Sequence, residues 1–417
     1  MSRKIIVLGA GMVGVSVAWH LLRRGHEVTL MDRREPGRET SFGNAGIIQR
    51  EAVRPYAFPR DVPTLLRVLP NRSVDIRYRP LGMLRAASPL LQYWLNSGGK
   101  RYEQITREWA SLIMRCQDAH GPMIEAAGAE HLIRKGGWLE LYRHQPDMDE
   151  RLAEAAEDRE RFGVEYQVLD AQQLRAVEPH LSTDLIGAIH WTQPWMVSDP
   201  GALVQAYARN FVEQGGTLMQ ASVDGLAQQD GGWRVSTADG REYEAEQVVV
   251  ALGPWSGNLL AQLDIHVPLF VKRGYHMHYA TAQGAELKHW VMDAERGFLM
   301  EPMSAGIRLT TGAELADLDA PPSYRQLAAA EKVARELFPA LGSRLDEAPW
   351  KGARPCMPDM KPVIGSVSDK SGLWLSFGHG HQGFTLGPAT GELLAQMMDG
   401  EAPAIDMTPF ALDRFRS

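Results

Sequence analysis

The feature that most constrains this chain is a glycine pattern near its start. Gly9-Ala10-Gly11-Met12-Val13-Gly14 follows an apolar run from Lys4 to Leu8 and leads into Val13 to Arg24, where Val13, Val17, Leu21 and Leu22 recur at helical spacing. Gly25 stops that helix, Glu27 to Met31 reads as a second strand, and Asp32 ends it 18 residues after Gly14. In such a unit Gly9 permits the tight turn and Gly11 lets a pyrophosphate approach the backbone, while Gly14 lets helix and strand pack closely. The amides at Met12 and Val13 open the helix and supply positive potential. Asp32 stands where an acid accepts hydrogen bonds from ribose hydroxyls. A glycine-rich turn in an ordinary βα unit would leave Asp32 unexplained, so the pattern predicts a dinucleotide site in a doubly wound α/β fold. Arg33 could suit a 2′-phosphate, but Asp32 would repel one, which argues against NADP. The pattern by itself does not separate FAD from NAD.

Composition narrows the partners. A chain of 417 residues is long enough for two domains, and a net charge of −7 provides no cationic surplus for nucleic acid. Cys116 and Cys356 lie far apart without a CxxC partner, which argues against a disulfide framework and fits a reducing, cytoplasmic compartment. The basic start followed by Ile5 to Leu8 reads as a strand rather than a signal peptide, because glycines interrupt it. No stretch of 18 apolar residues could span a bilayer, which leaves peripheral contact at its inner face open.

Further along, Leu84 to Ala127 has helical periodicity around Trp94, Ile105, Trp109, Leu112 and Ile113. Gly137 to Tyr142 alternates as a strand, and Met148 to Phe162 reads as a charged helix. Ser198-Asp199 caps another helix at Pro200 to Gln214. Gly232 to Ser236 and Glu242 to Ala245 form a predicted hairpin, before an apolar strand at Gln247 to Leu252. Tyr275 to Tyr279 and Gly306 to Thr311 read as strands of a second, antiparallel sheet. Leu373 to Ser376 runs into Gly378-His379-Gly380 and a helix from Gly387 to Met398. The nucleotide domain is therefore predicted to be discontinuous.

Further motifs are Thr40-Ser41-Phe42-Gly43-Asn44-Ala45-Gly46, Gly136 to Leu141 and Lys272-Arg273-Gly274-Tyr275, then Trp350 to Pro355 with Pro358-Asp359, and Gly378-His379-Gly380-His381-Gln382-Gly383. Together these segments resemble bacterial D-amino-acid dehydrogenases, within the wider superfamily of D-amino-acid, glycine and sarcosine oxidases. The resemblance runs in order from residue 3 to about residue 400. It implies a noncovalent FAD in an FAD-binding domain made of residues 1–80, 193–262 and 346–417. An α+β substrate domain would comprise residues 81–192 and 263–345.

The same resemblance implies roles for single residues. Thr40, Ser41, Asn44, Ala45 and Gly46 would lie along the cofactor, as would Val223 and the strand end carrying Ala251, Gly253 and Trp255. Gly378 to Gly383, with His379, Gly380, His381 and Gln382, would sit at the pyrimidine end of the flavin. Two histidines at i, i+2 without carboxylate or cysteine partners give no reason to expect a metal. Arg354 matches the arginine that holds the substrate carboxylate, a task suited to a planar guanidinium. An ordinary ion pair with an acid such as Asp359 is the competing reading. Tyr275, Arg273 and His379 are further candidates for the catalytic pocket. Phe298 stands where glycine oxidases carry a carboxylate-binding tyrosine, a departure that leaves the clamp open. Cys356 does not align with the cysteine that attaches flavin in sarcosine oxidases. The implied reaction is oxidative deamination of a D-amino acid, D-proline or hydroxy-D-proline among them. A hydride passes from the α-carbon to flavin N5, giving an imino acid and then a 2-oxo acid. Electrons would leave to a quinone, an electron carrier or oxygen. A glycine- or sarcosine-type oxidase and a non-catalytic electron-relay flavoprotein remain the alternatives.

Overall fold

The computed structural model describes residues 1–282 and 284–416. Its first sheet has six strands in the order Thr217–Gln220, Glu27–Asp32, Lys4–Leu8, Gln247–Val250, Leu373–Phe377 and Val363–Ser366. The first five run parallel and the last is antiparallel. Lys4–Leu8 is buried on both faces, as a central parallel strand must be. Ile5 and Val7 pack with Val15, Leu203 and Leu393 of the helices Met12–Arg23, Pro200–Glu213 and Gly383–Met398. Ile6 and Leu8 face the other way, onto Trp233 and Val235 of the three-stranded sheet formed by Val223–Gln229, Gly232–Thr237 and Glu242–Ala245. The expected βαβ unit is present within a residue at each end.

The larger sheet runs Ile76–Tyr78, Ala313–Leu315, Phe270–Thr281, Gly306–Thr310, Phe298–Met303, Trp290–Asp293, Trp138–Tyr142, Gly187–Trp191 and Tyr166–Asp170, with Leu341–Arg344 and Trp350–Cys356 also paired to the long strand Phe270–Thr281. Two of its pairings are parallel, and the others are antiparallel. Leu327, Ala330, Ala334 and Leu337 of the helix Arg325–Leu337 fill the core beneath it. Ile76–Tyr78 and Trp350–Cys356 are thus strands of the large sheet, although they fall in segments expected to belong to the nucleotide domain. The periodic stretch from Leu84 to Ala127 is divided among four helices, Pro80–Arg85, Ala87–Asn96, Gly99–Ile113 and Cys116–Ala126. The chain breaks at Gly98-Gly99, where Gly99 takes a left-handed φ of 61°.

Candidate active site

At the end of Lys4–Leu8 the backbone turns through Gly9, whose amide donates to Met31 O at 2.7 Å. A Cβ on Gly14 would lie 1.7 Å from Gly9 O, so the helix approaches the turn more closely than any side chain allows. Asp32 closes the unit by accepting hydrogen bonds from the amides of Ala10 (2.7 Å) and Arg34 (2.9 Å). Burial pushes its carboxyl above the usual range, and these amides oppose that shift. The Ser41 hydroxyl accepts from the Met12 amide at 3.0 Å, which ties the Thr40 to Gly46 loop to the helix start. Arg308 holds the same loop from the large sheet, donating to Asn44 O at 2.6 Å, and Trp290 donates to Ala45 O at 2.9 Å.

A cavity of about 430 Å³ runs from this turn to the large sheet. Gly9, Gly11, Met12, Val13, Asp32 and Arg33 line its first end. Its flanks carry Thr40, Ser41, Asn44 and Ala45, then Val223, Ala251, Gly253 and Trp255, and finally Gly378, His379, Gly380, His381 and Gly383. Arg33 lies over the Trp255 ring at 4.3 Å while paired with Glu39 at 2.7 Å. An elongated cavity that starts at a tight glycine turn and an acid fits a dinucleotide.

Arg354 stands at the far end. One guanidinium nitrogen donates to Gly312 O at 3.0 Å, and the other two have no partner among the described residues. Asp359, the competing partner, is bound to Arg414 at 2.7 Å instead. Burial depresses the Arg354 pKa, opposed by the proximity of Cys356, Tyr56 and Glu301. The guanidinium lies over Gly274, where a Cβ would come within 2.8 Å of it. Around it the cavity is walled by Gln49, Tyr56, Trp138, Met292, Leu299 and Thr310. Behind the wall sit two buried acids. Glu301 accepts from the Thr310 hydroxyl at 2.9 Å, its other oxygen has no partner, and burial raises it to about 8. Glu51 accepts from Trp138 Nε1 at 2.8 Å and Gln49 Nε2 at 3.0 Å, and burial raises it to about 7. Both histidines of the glycine turn are neutral. Burial takes His379 down to about 3, with its Nε2 3.1 Å from Thr390 Oγ1. His381 falls well below the ordinary value through burial, and Arg354 and Lys272 push it the same way.

One candidate catalytic residue needs correction, and a second meets the cavity with its hydroxyl already engaged. Arg273 is fully buried but faces away from the cavity. It pairs with Glu314 at 2.6 Å and donates to the carbonyls of Asp317, Ala320 and Pro321. Tyr275 reaches the cavity lining, yet its hydroxyl turns to the same Glu314 at 2.5 Å and accepts from Arg273 at 2.8 Å. Both follow from strand parity, since alternate residues of Phe270–Thr281 point to opposite faces. Three expected cofactor positions support the cavity without lining it. Gly14 sits behind the turn, Gly46 packs under Val197 O with φ 69°, and Gln382 donates to Gln49 Oε1 at 2.6 Å. Phe298 is fully buried in the core of the large sheet. Cys356 belongs to a small cluster with Leu90, Tyr93 and Phe270. Sequence reasoning missed Gln49, Tyr56 and Thr310. The first two follow the glycine-asparagine loop by a few residues, which was the one available signal.

An elongated cavity that begins at a tight glycine turn and ends at an arginine without a carboxylate partner suits a cofactor-dependent enzyme. The chain belongs to the DAO family of FAD dependent oxidoreductases, which matches residues 4–397. It is 31% identical to a D-amino acid dehydrogenase of Chromohalobacter salexigens, over 98% of each chain. It is 30% identical to a D-amino-acid oxidase of Bradyrhizobium diazoefficiens, over 99% of each. The fold matches that of glycine oxidase from Geobacillus kaustophilus with a TM-score of 0.74 at 22% identity, covering 99% of both chains.

Proposed function

We propose that this FAD-dependent oxidoreductase oxidises D-amino acids, and that Arg354 binds the substrate carboxylate. The observation that carries the reading is the Arg354 guanidinium, enclosed in the cavity with two nitrogens unpartnered. A buried cation without a counter-ion is costly, and a carboxylate held by two parallel hydrogen bonds would compensate it. Gly274 leaves the room for that guanidinium. Trp138, Met292 and Leu299 would surround the side chain, with the exposed Tyr56 at the mouth, which suits a small apolar group such as the ring of D-proline or hydroxy-D-proline. When bound, FAD supplies the hydride acceptor. His379 and His381, made weakly basic by burial, are poor acceptors for an ammonium proton, which supports an amine that arrives deprotonated. The released imino acid then hydrolyses to a 2-oxo acid. The electrons pass on to a quinone, an electron carrier or oxygen. The D preference rests on the curated relatives. The cofactor positions read from the sequence are part of the same proposal. So is the five-segment domain division, with Ile76–Tyr78 and Trp350–Cys356 moved to the substrate domain. The two buried free thiols support a cytoplasmic setting.

The test is a panel of D-, L- and N-methyl amino acids given to the FAD-replete protein, under air and with a dye acceptor. Turnover of D-amino acids with the dye is expected. Preference for glycine or sarcosine under air would favour the amine-oxidase alternative. No reduction by any member would leave the electron-relay alternative standing.

A further inference from the structure

The cavity wall at Thr310 has a buried carboxyl behind it. Leu299 and Thr310 line the cavity and are register partners of the antiparallel strands Phe298–Met303 and Gly306–Thr310. Side chains alternate along a strand, so Glu301 and Arg308, the partners two residues along, share that face. Glu301 is fully buried. Its Oε2 accepts from the Thr310 hydroxyl at 2.9 Å, and its Oε1 has no partner among the described residues. Arg308 stands opposite but directs its donors elsewhere, Nε to His278 at 3.1 Å and a terminal nitrogen to Asn44 O at 2.6 Å. A carboxyl buried on one hydrogen bond costs the fold more than an apolar side chain of its size would.

Thr310 also neighbours the arginine assigned to the carboxylate. Arg354 donates to Gly312 O at 3.0 Å, two residues beyond Thr310, and both side chains line the same cavity. The nitrogen of an α-amino acid is two bonds from the carboxylate carbon, so a substrate held on Arg354 would bring its amine to this wall. The hydroxyl there has a fixed sense when Glu301 is ionised. A carboxylate only accepts, so the Thr310 proton points to it and the lone pairs of Oγ1 are left for an N–H donor. A protonated Glu301 can donate instead, and the Thr310 proton is then free to turn toward the amine.

We propose that the Thr310 hydroxyl accepts a hydrogen bond from the substrate amine, and that Glu301 is a positioning residue that turns the hydroxyl to that role. The inference rests on the Arg354 reading and adds a partner for the substrate nitrogen. A hydride leaves the α-carbon of the neutral amine with both bonding electrons and is taken up by FAD. The substrate is left as an iminium, its new positive charge centred on the C=N group. An N–H that gains charge strengthens its bond to Thr310, and the carboxylate behind the hydroxyl adds attraction. Burial raises Glu301 to about 8, opposed by Arg308, the Thr310 hydroxyl and Arg354, so the carboxylate form is gained as pH rises through that value.

The test pairs anaerobic flavin reduction by D-proline or D-alanine with spectral titration by the acid that lacks the amine, cyclopentanecarboxylate or propionate. Thr310→Val should slow reduction by the amino acid at least roughly tenfold, yet bind the amine-free acid as the parent does. Thr310→Ser, which keeps the hydroxyl, should recover most of the rate. The limiting rate of the parent should rise with pH through about 8, and Glu301→Gln should lose that rise with FAD content unchanged. Parental reduction by Thr310→Val would overturn the proposal, as would an equal loss of both ligands, which marks a structural role. A parental pH profile in Glu301→Gln would overturn it too, and that readout stands even where Thr310→Val is unstable. Binding of the amine-free acid that survives Arg354→Ala would instead overturn the carboxylate reading.

Discussion

The two faces of the large sheet at Phe270–Thr281 each carry an arginine, one buried and one half-buried, and the two differ in how they are partnered. On one face Arg273 is saturated by Glu314, the Tyr275 hydroxyl and three backbone carbonyls. On the other, Arg354, paired across the strand from Lys272, has a single carbonyl and an open cavity. One residue of strand parity separates the two situations. A saturated buried cation is part of the scaffold, and an unsaturated one is poised for a ligand.

The contrast can be broken from either side. The largest effect belongs to Arg273→Met, which strands Glu314 and should cost about 3–5 kcal/mol of stability by denaturant unfolding. Substrate affinity of the folded fraction should stay parental; a selective loss of affinity would move the ligand site to the Arg273 face. Asp32→Ala, at the other end of the cavity, should weaken FAD by about 1.5–3 kcal/mol, roughly tenfold to a hundredfold in a fluorescence titration. Parental retention would mean that the ribose is held elsewhere.

The buried acids give a smaller, pH-linked effect. Glu301 is raised in the folded state, so its contribution is full below its ordinary pKa and is lost as pH rises through about 8. Stability should therefore fall between pH 5 and 8, and Glu301→Gln should flatten that fall by up to about 1.4 kcal/mol per pH unit. An unchanged slope in chemical denaturation would mean the carboxyl is hydrated. Smallest of all, Gly274→Ala should push on the flexible end of Arg354 and raise KM several-fold while leaving FAD content and stability near parental. A parental KM would show that the guanidinium does not depend on that gap.

The nucleotide end of the cavity was legible in sequence because its parts are neighbours. Gly9, Gly14 and Asp32 lie within one βαβ unit, and local turn chemistry fixes their relation. The far end, proposed for the substrate, was legible at Arg354 alone. Thr310, Tyr56 and Arg354 converge through strand register and a long excursion, and register is a tertiary property. Arg273 was misplaced for the same reason, since the motif gives its order but not which face meets the cavity. The helical stretch after Leu84 had the right period but hid a break at Gly98-Gly99.

The most direct test of the account compares Arg354→Ala with the parent in anaerobic flavin reduction by a D-amino acid, each protein FAD-replete. The account predicts normal FAD content and an apparent substrate affinity at least tenfold weaker, since truncating one partner of a buried charge pair costs about 2–5 kcal/mol. Reduction should also slow as the α-carbon loses its tether, and Arg354→Lys should recover part of the affinity without the two-point grip. Near-parental affinity and reduction rate in Arg354→Ala would contradict it.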